Sequence, residues 1–160
     1  MSYRIRNAAA ALALSAAAAT TAALVTTDRG QAQQNAGRTI VLQNSGTKLS
    51  TVDVPPLTRS KRSPTTPGDE VIASSRIAGA AAGGRYLVCA AAKQGPSVEK
   101  ALYSCQVTYN LADGTITAAG VARIGAGGSI TVAVTGGTGA YDGARGTLTS
   151  KAGADTLTLQ

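Results

Sequence analysis

From residue 39 onward the chain alternates apolar and polar side chains in short runs, and this period of two is the mark of β-strands that bury one face. Runs at 39–43, 48–54, 69–78, 85–92, 101–111, 115–123, 129–135, 143–150 and 155–159 fit the pattern. Between them stand turn formers, Asp113-Gly114 and the stretch Gly125 to Gly128 among them. The segment 55–68, with Pro55, Pro56, Pro64 and Pro67 and no period, reads as a loop. No amphipathic helical period of useful length accompanies these runs. Many short strands predict an all-β domain, either an antiparallel sandwich or a closed barrel, and closure removes exposed strand edges.

Alternation also assigns faces. Cys105, Val107, Tyr109 and Leu111 share one face of their strand, and Gln106, Thr108 and Asn110 take the other. Leu87 and Cys89 share a face in the same way. If these two strands are antiparallel neighbours, Cys89 and Cys105 face each other and a disulfide would pin their register. Such a bond would contribute about 3 kcal/mol by the chain-entropy account.

The first residues follow another pattern. Arg4 and Arg6 precede an uncharged, alanine-dominated run from Ala8 to Thr27, and Gly30-Gln31-Ala32 supplies small residues for cleavage. The reading is a secretory signal at 1–32, a flexible tether at 33–38 and a barrel or sandwich domain at 39–160. An alanine-rich helix of the mature protein and a membrane anchor are the alternatives, but alanine is weakly apolar for a membrane span. Stable membrane insertion is not expected. A secreted, extracellular location suits the cysteine pair, because exported chains can keep a disulfide.

Composition narrows the chemistry. The chain carries a formal charge of +7, and cleavage after residue 32 would leave it basic. The one dense basic cluster, Arg59, Lys61 and Arg62, sits in the proline-rich loop without aromatic platforms, so nucleic acid is not an expected partner. Attraction to an anionic cell envelope is compatible with the charge. There is no histidine, which removes Ser/His and Cys/His catalytic arrangements, and two thiolates alone do not complete a zinc site. No metal is expected. The chain also lacks Phe and Trp, leaving Tyr86, Tyr103, Tyr109 and Tyr141 as the aromatics after residue 38. Small residues at strand positions allow two outcomes, a ligand-sized cavity or a narrow barrel that packs without one.

The segment 133–150 is the most telling. Gly136, Gly137 and Gly139 precede Tyr141, and Arg145 leads into a further alternating run. No Gly-Lys-Ser/Thr and no following helix are present, so the glycines are turn glycines and not a phosphate loop. Arg145 has two fates: pointing outward it is solvated, and pointing inward it needs a carboxylate or a ligand oxygen.

Gly-Gly-Thr-Gly-Ala-Tyr at 136–141 with Gly-Ala-Arg-Gly at 143–146 resembles the late hairpin of the dirigent and allene oxide cyclase barrel superfamily. Val52-Asp53-Val54-Pro55-Pro56, Pro67-Gly68-Asp69 and Asp113-Gly114-Thr115-Ile116 resemble further parts of bacterial secreted members. The resemblance implies a single eight-stranded antiparallel barrel, often a homotrimer, holding a small apolar molecule without metal or organic cofactor. It implies steering of a cyclisation or coupling by confinement. It carries Arg145 and, as an acidic partner, Asp53 into catalytic roles, with Tyr109 and Tyr141 lining the wall. The rival reading is a non-catalytic extracellular carrier or a cell-envelope module.

Overall fold

A computed structural model describes residues 37–55, 65–125, 129–151 and 153–160. The proposed signal, most of the tether, the basic cluster at 59–62 and part of the glycine turn at 125–128 lie outside the described residues. Eight strands, β1 (Thr39–Val52), β2 (Glu70–Gly79), β3 (Gly83–Lys93), β4 (Leu102–Leu111), β5 (Gly114–Ala122), β6 (Ile130–Gly139), β7 (Gly146–Lys151) and β8 (Ala154–Leu159), run antiparallel in chain order. They close into one barrel, β1 pairing with β8. Of the two all-β options, the barrel is therefore the one formed.

Two elements differ from the sequence reading. The runs at 39–43 and 48–54 are one strand, because a register shift between Ser45 and Lys48, with Gly46 at φ 60°, carries the chain through without a turn. Gly136 and Gly137 do not turn the chain. They lie in β6 opposite Thr117 and Ile116, and the bend falls at 140–145, where Gly139 and Gly143 take positive φ. At Gly137 a side chain would run into the Tyr141 carbonyl oxygen and come within 2.7 Å of that of Thr115, so close backbone approach requires the glycine there.

The wall is of unequal height. β7 and β8 have six residues each and β1 has fourteen. β8 pairs only with 39–43 of β1 and Asn44 N–H still donates to the Gly153 carbonyl, so among the described strands residues 45–52 rise past it held by β2 alone. On the far side, β5 pairs with β6 through Ala119, and residues 120–122 are held by β4 alone. The lower barrel is thus closed and the upper part is a curved, open sheet.

Alternation fills the two parts differently. Below, Leu42, Tyr109, Ile116, Tyr141, Leu148 and Leu157 pack into the larger core, and the turn at 140–145 buries Tyr141 and Ala144 in its base. Above, Val71, Cys89, Ala91, Ala101, Tyr103 and Cys105 form a smaller cluster. Leu87 packs against both. Cys89 and Cys105 stand opposite each other in the β3–β4 ladder and form the disulfide. All four residues of the face Cys105, Val107, Tyr109 and Leu111 are buried.

Candidate functional site

Inside a barrel a charge survives only if it is paired, because the apolar surroundings replace none of its hydration. Among the described strand residues two inward positions carry one, while the buried Asp69 just before β2 accepts from the Val54 and Thr66 backbone N–H groups. Arg85 stands two residues before Leu87 on the inner face of β3, and Asp155 stands two before Leu157 on that of β8. Arg85 Nε lies 3.0 Å from Asp155 Oδ2, and the Tyr109 hydroxyl donates a 2.6 Å hydrogen bond to the same oxygen. Asp155 is fully buried, whereas the Arg85 side chain keeps 10% of its surface.

The network is incompletely satisfied. Among the described residues Asp155 Oδ1 has no hydrogen-bond partner, and Arg85 Nε, despite its closeness to Oδ2, does not aim its N–H along that contact. Burial, reinforced by the neighbouring Asp155 carboxylate, pushes the Tyr109 phenol far above its ordinary range, so it remains a neutral donor. The three groups are set by register: Arg85 is the ladder partner of Tyr109, and Asp155 is fixed by Leu42 and Ser150 on its two sides.

Above this network the open sheet forms a cup of about 340 Å³. Leu49, Thr51, Val71 and Leu87 supply its strand walls, Ile130 its low side, and Val98, Glu99, Ile124 and Gly125 its rim. Leu87 is one inward position above Arg85, and Ile130 pairs with Ser150, the partner of Asp155. The charge pair therefore lies beneath the floor of the cup. Glu99 sits exposed in the short 3-10 turn Val98–Lys100, where the Ser97 side chain holds its carboxyl below the usual range.

The residues singled out from the sequence lie far apart in role. Arg145 is exposed on the turn before β7, its Nη1 donating to the Ala144 carbonyl at 2.7 Å, and does not enter the interior. Asp53 is exposed after β1, away from Arg145. Tyr141 closes the base, donating to Asp113 Oδ2 at 3.2 Å with the Arg38 guanidinium 5.7 Å from its ring centroid. Tyr109 alone joins the buried charges. Sequence reasoning missed Arg85 and Asp155, although the signal was available: each continues by steps of two into a buried apolar face. Among the described residues no three His, Cys, Asp or Glu side chains converge as a metal site would require, and no helix is long and apolar enough to cross a membrane.

A closed eight-stranded antiparallel barrel with an apolar cup over a buried arginine–carboxylate–tyrosine network defines a small all-β barrel. The chain belongs to the allene oxide cyclase barrel-like domain family, whose model matches residues 64–159. Fifteen solved chains match it. One is a pyocyanin demethylase, 24% identical with a TM-score of 0.60, covering 77% of this chain and 100% of that one, a likeness of fold. No curated protein matches the chain.

Proposed function

We propose that this protein is an exported barrel that holds a small, largely apolar molecule in its upper cup, with Arg85 anchoring one oxygen of that molecule. The observation that carries this reading is the apolar cup of about 340 Å³ seated over an arginine that is still 10% accessible. Asp155, itself held by Tyr109, fixes the guanidinium through Oδ2, and in this reading the other guanidinium N–H groups are the ones that meet the ligand. A molecule confined there loses conformers before it reacts, and a guanidinium at its oxygen stabilises negative charge that develops in a cyclisation or coupling. Such steering needs no cofactor. The disulfide supports an oxidising compartment, and the outer-face residues Ile72 and Val88, ladder partners that both remain exposed, support self-association.

The test uses N-phenyl-1-naphthylamine, an uncharged apolar dye whose fluorescence rises on burial. Leu49→Trp with Val98→Trp fills the cup and should abolish dye binding, while Thr131→Trp, on the outer face of β6, should leave it unchanged. Equal binding by all three proteins would remove the cup from the function. Mass spectrometry of molecules that co-purify with the exported protein then identifies the ligand. Conversion of that ligand by the wild type and not by the repacked variant Arg85→Met with Asp155→Leu would mark a catalyst, and tight binding without conversion a carrier.

A further inference from the structure

The outer wall carries a second concavity that the cup does not explain. The register shift between Ser45 and Lys48 splays β1 from β2 and leaves a hollow of about 430 Å³, lined by Lys48, Ser74, Arg76 and Tyr86 with glycines 46, 83 and 84. Ser75 reaches its edge through the gap, where its hydroxyl lies 2.9 Å from that of Thr47. On the ladder, Lys48 pairs with Ser74 and Ser74 with Tyr86, while Arg76 pairs with Gly84 one outward position further along. Arg76 is therefore diagonal to both Lys48 and Tyr86, at roughly 7–8 Å between Cα atoms.

Three features of this hollow point to one kind of ligand. Both cations are exposed, no carboxylate lines the hollow, and among the described residues neither Lys48 nor Arg76 has an ion-pair partner. Tyr86 is 54% exposed, and the outer end of its ring occupies the space that a side chain at Gly84 would need, which keeps the ring within the hollow. The hollow is shallow and open, and Ser74 stands between Lys48 and Tyr86 on the ladder, with Arg76 two residues further along its own strand. A carboxylate on a sugar ring satisfies all of these at once: the cations take the carboxylate, the ring stacks on the tyrosine, and the serine meets a sugar hydroxyl.

We infer that this outer hollow is a binding site for an acidic polysaccharide of uronate type. The cup and the hollow lie on opposite sides of the same sheet, so a barrel anchored by the hollow keeps its cup free.

The experiment measures affinity of the full chain for polygalacturonate, with a neutral dextran and an inorganic polyphosphate alongside. Binding to polygalacturonate, weakening as salt rises, is expected, with none to dextran. Lys48→Met with Arg76→Met should weaken it about tenfold or more, and Tyr86→Ala should do so as well while Tyr86→Phe retains it. Lys93→Met with Lys100→Met removes the same charge elsewhere and should change affinity less than about twofold. Equal losses from both charge pairs, indifference to Tyr86→Ala, or polyphosphate bound as tightly as polygalacturonate and through the same residues would overturn the site. Because dye binding in the cup reports separately, failure here leaves the small-molecule reading standing, and the reverse holds.

Discussion

Arg85 and Asp155 show what one inward charge demands of its surroundings. Each is tolerable only beside the other, so removing either leaves an unpaired charge in an apolar interior. Arg85→Met or Asp155→Leu alone should destabilise the fold by about 3–5 kcal/mol, whereas Arg85→Met with Asp155→Leu should recover most of that loss. Denaturant titration of the four proteins measures the coupling, and additive losses would deny it. Tyr109 adds a pH dependence. Its phenol is raised in the folded state, first by burial and then by Asp155, so the folded chain keeps a proton that the unfolded chain gives up above about pH 10. Stability from this group is complete below that pH and falls as pH rises beyond it. Tyr109→Phe should remove one proton from the slope of stability against pH in that alkaline range, as read from urea midpoints.

At the scale of the elements, β6 and the β3–β4 ladder make the sharper predictions. Gly137→Ala places a methyl group against two backbone carbonyls and should cost about 1–3 kcal/mol, while Gly136→Ala, whose nearest neighbours stay 3.6 Å away, should cost under about 1 kcal/mol. Thermal midpoints of the two variants separate close approach from general strand propensity. The Cys89–Cys105 bond joins direct ladder partners at a sequence separation of 16. Its removal by Cys89→Ala with Cys105→Ala should lower stability by about 3 kcal/mol, measured by denaturant unfolding under oxidising conditions.

For the whole molecule, the division into a closed lower barrel and an open upper sheet separates the packed core from the proposed ligand cup. The base holds the three large residues Tyr109, Tyr141 and Leu148 at no more than 1% exposure, whereas Leu49 at the cup is 67% exposed. A cup ligand binds only the folded chain, so at a hundredfold excess over its dissociation constant it should add about 2.7 kcal/mol. A rising thermal midpoint with ligand concentration checks this, and Leu49→Trp with Val98→Trp should flatten the response.

Alternation along the chain determined by itself that the domain is all-β, which faces of β3 and β4 are buried, and that Cys89 and Cys105 can meet, because a period of two fixes side-chain direction locally. Glycine and aspartate at 113–114 marked a turn for the same local reason. What alternation could not supply is which strands become neighbours across the barrel. Asp155 and Arg85 are 70 positions apart in the numbering, and only closure of β8 onto β1 brings them within 3.0 Å. Unequal strand pairing was equally hidden, since the height of the wall depends on where β1 parts from β8 and not on any residue of β1 alone. The tertiary structure therefore decided that Arg85 meets Asp155 inside the barrel while Arg145 lies in solvent, and that the upper half of a small-residue barrel is a cup and the lower half a packed core.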